Sequence, residues 1–308
     1  MGLLLCKLSN LLWVLLMSNA KLVVKKPDGS LLYDTGNISY GLVKSGYLTF
    51  NSNWRRWRLR AINVDPNLAS SWVESGLPGD NQFGFTIDNP QSPIIFLVGR
   101  GTATGVTVSG STKTYLYAGA STATKYYCFD LMRNDGLPSP WLKTRSRESG
   151  QITFNSNQNP MNVVASIRAP DPGPLDRFGR PASTYTGGRN ERIAFQSQAS
   201  SAIAHSLVDI NLDAGTEYAA FLPWNRSCGV IDGDPFPDGG APTVYGMTEG
   251  AFGRIGGISF FFAPPGRTTE DYWPTSNTAG SYSYLNLPTS RFPSALVIKT
   301  SGLPFPFN

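Results

Sequence analysis

The sequence predicts an all-β protein, two β-sandwich-like domains joined by a Pro-rich linker, and three observations carry that expectation. Short runs of β-branched and aromatic residues recur roughly 8–15 residues apart. Turn residues lie between almost all of them, drawn from 32 glycines and 23 prolines among 308 residues together with many Asn and Ser. In the N-terminal half no i, i+3, i+4, i+7 apolar spacing lasts the ~12 residues that mark an amphipathic helix. Aromatic residues make up 12% of the chain and supply ample core material. Charged residues reach only 15%, against roughly 25% in an average soluble protein. That composition excludes a disordered chain, a coiled coil and a helical repeat array. The net charge of +5 is too mild to imply a nucleic-acid partner.

Residues 1–20 read as a leader, by either of two routes. The apolar run from Leu11 to Met17, preceded by Lys7 and followed by Ser18 and Ala20, has the look of a short secretory signal. Equally, Met17-Ser18-Asn19-Ala20 is a plausible start, with residues 1–16 a mis-called extension. The segment is too short and too interrupted to span a bilayer, and no other stretch of the sequence approaches that length.

Residues 21–168 form the expected N-terminal domain. Segments 21–26 and 30–33 are strands around Pro27-Asp28-Gly29, where Pro fixes φ and Gly accepts φ > 0. Further strands are expected at 47–50, 54–62, 83–87, 94–98, 105–108, 114–118, 125–131, 151–154 and 162–168. A short helix is expected near 67–74, with Asp65 as cap and Pro66 in the first turn. Gly99-Arg100-Gly101 reads as a hairpin turn, because it lacks the spacing of a phosphate loop. Residues 169–174, Ala-Pro-Asp-Pro-Gly-Pro, are the expected linker: three prolines do not sit in a sheet interior. Residues 175–308 form the second domain, with strands at 192–196, 203–212, 217–222, 243–247, 257–263 and 294–300. Two long polar connections, 225–241 and 264–283, make this half the looser one.

No catalytic, cofactor-binding or metal site emerges, and the chain reads as a non-enzyme. His205 lies alone on a strand beside Leu207 and Asp209, the setting of a structural histidine. Cys6, Cys128 and Cys228 lack metal-ligand spacing; Cys128 reads as a buried thiol, with a Cys128–Cys228 disulfide left open. Asp232, Asp234 and Asp238 alternate in a Gly-rich loop in the manner of Ca²⁺ ligands, but miss the EF-hand spacing and read as a solvated turn. The densest charge feature is Trp54-Arg55-Arg56-Trp57-Arg58-Leu59-Arg60. As one strand it would place Arg56, Arg58 and Arg60 on one face and Trp57 and Leu59 on the other. Arg and Trp are enriched at protein-binding hot spots, so Trp54, Arg56, Trp57, Arg58 and Arg60 are candidate contact residues. Trp224, Tyr272 and Trp273 are candidates for stacking a sugar, with burial in a core as the plainer alternative.

The string Lys21-Leu22-Val23-Val24-Lys25-Lys26-Pro27-Asp28-Gly29-Ser30, with Leu32-Tyr33-Asp34-Thr35 and Tyr40-Gly41-Leu42-Val43-Lys44-Ser45-Gly46, resembles a family of tail-associated proteins of long-tailed bacteriophages and prophages. The similarity continues through Phe83-Gly84-Phe85-Thr86, Ser92-Pro93-Ile94-Ile95-Phe96, Lys125-Tyr126-Tyr127-Cys128-Phe129-Asp130-Leu131-Met132 and Ile152-Thr153-Phe154-Asn155-Ser156, and covers about residues 21–172. The resemblance implies a structural component of the virion's distal tail, at the tip or baseplate, contributing to host attachment and carrying no catalytic residues. It implies partners among other tail proteins and a host surface receptor, and assembly in several copies, a trimer favoured. The N-terminal domain would dock on the tail and the C-terminal domain would project. It also favours a start near Met17. Two other classes stay open: a secreted or periplasmic carbohydrate-binding module, and an enzyme acting on surface polysaccharide.

Overall fold

The computed structural model describes residues 23–307 except 26, 35–36, 62, 66, 76–78, 135–140, 147, 196–197, 233–242, 265–268 and 273–281. The leader with Cys6, and Asp234, Asp238 and Trp273, lie outside the described residues. The rest is strand, turn and one 3-10 turn, so the all-β expectation holds. In chain order the first strands are β1 (Val23–Lys25), β2 (Leu31–Asp34), β3 (Tyr40–Tyr47), β4 (Thr49–Trp54), β5 (Trp57–Leu59), β6 (Trp72–Glu74) and β7 (Asp80–Asp88). Then follow β8 (Ile94–Val98), β9 (Thr102–Ser109), β10 (Thr112–Ala118), β11 (Lys125–Leu131), β12 (Lys143–Arg145), β13 (Ile152–Asn155) and β14 (Val163–Arg168). Next come β15 (Arg189–Phe195), β16 (Gln198–Asn211), β17 (Tyr218–Phe221), β18 (Ser227–Asp232) and β19 (Thr243–Arg254). The last are β20 (Gly257–Ala263), β21 (Thr269–Tyr272), β22 (Tyr282–Leu285) and β23 (Ser294–Lys299).

The chain packs into two compact units, one from the described residues of 1–43 and 129–162, the other from 44–128 and 163–308. In the smaller unit β1 and β2 form the hairpin expected around Pro27-Asp28-Gly29. The Asp28 carboxylate accepts hydrogen bonds from the Ser30 backbone N–H (2.9 Å) and hydroxyl (2.6 Å), while Gly29 takes φ +84°, which its missing Cβ permits. The pair β12–β13 supplies Ile152 and Phe154, which pack with Met132 into a small core. The Leu48–Asn53 and Ile152–Asn157 strings share a pattern but no environment: Phe50 is exposed, whereas Phe154 is buried.

In the larger unit, β4, β7, β10 and β9 form an antiparallel sheet in that order. A second sheet follows the path β14-β23-β17-β8-β19-β20-β16-β15. Strands on both sides of residues 169–174 meet in it, since β14 pairs with β23, and β23 with β17, which pairs with β8. The Pro-rich stretch therefore lies within a compact unit, and the units divide elsewhere. The first half of β19 pairs with β18 and β21, and its second half pairs with β20. Gly253 lets β19 pass close to β17, because a Cβ there would sit 1.8 Å from the Tyr218 carbonyl oxygen. Every residue of β20 is buried. Phe260 and Phe262 enter the main core with Tyr185, Val208, Val230 and Val297, while Phe261 meets Phe252 edge-on at 5.2 Å. Burying each such side chain contributes about 1.5–3 kcal/mol.

Several sequence expectations need correction. Residues 67–74 are not a helix: the Asp65 carboxylate turns the chain by accepting from the Asn67 N–H (2.9 Å), a 3-10 turn spans Ala69–Ser71, and β6 follows. Residues 99–101 are not a hairpin turn but a link from β8 to β9, strands of different sheets. The connections at 225–241 and 264–283 contain β18, β21 and the first residues of β22. The strand expected at 54–62 is broken after Trp54 and resumes only as β5.

Candidate interaction surface

That break is caused by Arg56. Its guanidinium turns inward, where Nε lies 3.2 and 3.1 Å from the two Asp80 carboxylate oxygens and an Nη lies 2.6 Å from one of them. Both side chains are buried, and Arg56 also lies over the Tyr245 ring at 5.9 Å. The Arg56 carbonyl accepts from the Ser75 N–H at 2.8 Å, pinning the chain that carries β6. Arg56 is therefore a tether and not a contact residue, which corrects the expected face shared with Arg58 and Arg60. Leu59 is buried too, so the inward positions of the motif are three apart rather than two.

The remaining members of the motif face out. Trp57 is 41% exposed, Arg55, Arg58 and Arg60 are exposed, and Trp54 is half-buried. Arg55 and Glu74 form an ion pair at 3.6 Å, half-exposed and worth no more than about 1 kcal/mol. β5 pairs antiparallel with β6 and parallel with β21, Trp57 opposite Thr269 and Arg58 opposite Glu270. The fold thus sets Trp57–Leu59 of the motif and Tyr272, distant in sequence, on neighbouring strands, while Trp54 ends β4 in the other sheet. Trp224, 43% exposed, lies on the connection between β17 and β18. Trp141, the most exposed large apolar side chain described at 99%, was not singled out by the sequence reading. Its place beside Pro140 and ahead of Leu142-Lys143 was the available signal, an aromatic stranded in turn chemistry with no strand pattern around it.

The groups most apt for chemistry are enclosed. His205 is buried against Phe261 and Gly119, and its Nδ1 has no hydrogen-bond partner. Burial, reinforced by the Arg100 charge, pushes its pKa down to about 3, so the ring stays neutral at ordinary pH. Arg100 itself is held by Glu191, which also pairs with Arg189 at 2.7 Å. Cys128 and Cys228 are both buried, and no disulfide joins them. Among the described residues no three His, Cys, Asp or Glu side chains cluster as a metal site. A depression lined by Leu97, Tyr117, Phe221 and Asn225 holds about 40 Å³. Small-molecule sites typically offer about 300–1,000 Å³.

A second buried ion pair organises the core. Arg226 and Glu249 are both fully buried, joined by Nε–Oε2 at 2.8 Å and Nη2–Oε1 at 2.7 Å. Tyr185 donates its hydroxyl to the same Glu249 oxygen at 2.7 Å, and burial together with that carboxylate raises the phenol far above its usual range. Arg226 also donates to the Pro288 carbonyl and lies 4.7 Å over the Phe292 ring. The network joins residues of β19 and of three connections through one carboxylate.

No protein-family model, curated protein or solved structure matches this chain.

Proposed function

We propose that the chain is a structural component of a bacteriophage distal tail, at the tip or baseplate, which contacts other tail proteins and contributes to host attachment. The observation that carries the reading is the surface at β5, β6 and β21, where Trp57 and Arg58 on β5 and Arg55 and Arg60 at its two ends are exposed, beside the buried Arg56–Asp80 pair. Exposed Trp and Arg on a rigid strand lose little entropy on docking, and both are enriched where proteins bind. The resemblance at residues 21–172 supports the tail assignment. The enclosure of His205 and both described cysteines favours recognition over conversion. The larger unit carries the attachment surface, the protein is assembled in the host cytoplasm, and several copies serve one tail.

Particles from the strain that carries the gene provide the test. With Trp57→Ala and Arg58→Glu combined, they are expected to contain the chain in normal amount and to adsorb at least about tenfold more slowly, as when hot-spot side chains are lost. Normal adsorption would remove this surface from host attachment, and particles that never contain the chain would remove the tail assignment.

A further inference from the structure

The edge strand β9 is bonded to β10 on one side, and among the described residues no strand pairs with its other side. Its start is covered: Thr102 is buried and its hydroxyl donates to the Glu249 carbonyl at 3.1 Å, and Thr104 is half-buried and donates to the Gln82 side chain at 2.7 Å. From residue 105 onward the strand is exposed throughout, Val106 by 47% and Val108 by 64%. Folded proteins guard such edges with charges, prolines or bulges, because an open row of N–H and C=O groups templates another strand. Here residues 102–111, Thr-Ala-Thr-Gly-Val-Thr-Val-Ser-Gly-Ser, contain no charge and no proline. The one register shift of β9 against β10 falls at Thr104, and beyond it Gly105–Ser109 keep regular register, so no bulge guards that stretch.

We propose that β9 pairs antiparallel with β9 of a second copy of this chain, about a two-fold axis through Thr107. Alternation and register select that centre. Val106 lies opposite Tyr115, and Val108 opposite Lys113, on one face of the sheet, while Thr107 lies opposite Thr114 on the other. An axis through Thr107 sets Val106 of each copy against Val108 of its partner, burying four half-exposed valines together. On the other face it sets Thr107 against Thr107, a cross-strand pair that hydroxyls stabilise. The surface is neutral and complementary to itself, so no like charges are brought into contact. Lys113, one strand further in, meets its counterpart only across three strand spacings of about 4.8 Å each, beyond the ~8 Å screening length in physiological salt. The contact links copies in pairs and does not itself build the threefold arrangement suggested by the resemblance. It does not depend on the tail reading.

The experiment is sedimentation equilibrium on the purified full-length chain and on Thr107→Lys and Thr107→Glu. Thr107 is exposed, and either replacement leaves the isolated fold intact, which circular dichroism verifies. Wild type is expected to dimerise. Each variant alone sets like charges directly opposite and weakens the dimer at least about tenfold, while an equimolar mixture of the two restores pairing. A wild type that stays monomeric, variants that dimerise as tightly as wild type, or a mixture no tighter than its components each overturn the proposal.

Discussion

Replacing Glu249 by Gln keeps the side chain's size and removes its charge. In the native core that carboxylate accepts from Arg226 Nε at 2.8 Å, Arg226 Nη2 at 2.7 Å and the Tyr185 hydroxyl at 2.7 Å. The glutamine offers a single acceptor oxygen and turns an N–H₂ toward a donor, and the Arg226 charge is left buried without its counter-charge. Removing one partner of a buried ion pair costs about 3–5 kcal/mol. For chains of ~150–250 residues each kcal/mol shifts the melting temperature by roughly 2–4 °C, so a loss on the order of 10 °C is expected. Guanidinium unfolding at neutral pH, followed by tryptophan fluorescence, measures the loss as a fall in midpoint at unchanged slope. The double variant Arg226→Met with Glu249→Leu removes both charges together and is expected to cost less than Glu249→Gln alone, because no orphaned charge remains. A Glu249→Gln loss below about 1 kcal/mol, or a double variant as damaged as the two single losses combined, would refute the reasoning.

Arginines within one motif are expected to part company. Arg56→Ala takes the ion-pair partner from the buried Asp80 carboxylate and costs about 3–5 kcal/mol, whereas Arg58→Ala at the exposed neighbouring site costs under ~1 kcal/mol; thermal unfolding of the two variants compares them. His205 gives a pH dependence of known sign. Its folded pKa of about 3 lies below the ordinary 6.5, so the unfolded chain binds a proton that the folded chain refuses. Stability is therefore complete above pH ~6.5 and falls as pH drops toward ~3, by a few kcal/mol in all. His205→Leu should flatten that acid limb in chemical unfolding curves, and an unchanged slope would place the proton elsewhere. Cys128 and Cys228 should resist alkylation in the native protein and react on unfolding, read by peptide mass spectrometry; rapid native labelling of either would contradict their burial.

Fold class was legible because strand signals are local. The expected segments at 94–98, 125–131 and 257–263 coincide with β8, β11 and β20; the first and last are apolar runs bounded by Gly and Pro, and the middle one carries the aromatic run Tyr126-Tyr127-Cys128-Phe129. What the sequence could not show was pairing across distance. β14 finds β23 more than a hundred residues away, so residues 169–174 connect strands of one sheet although their prolines resemble a domain boundary. Short strands such as β6 and β12 carry too few residues for alternation to register. In the candidate surface, Trp57 and Arg58 were legible as contact-type residues, although strand alternation sets them on opposite faces. The inward turn of Arg56 was not, because it depends on Asp80, which lies in a distant strand and breaks the period of two. Likewise the placement of β21 beside β5 follows from β19, and no local pattern announces it.

Antibody–gold labelling of intact particles, raised against the purified chain and viewed by electron microscopy, tests the central claim most directly. Gold at the distal end of the tail is the predicted result. Particles that bear no label there, from cultures in which the chain is recovered only in the soluble fraction, would contradict it.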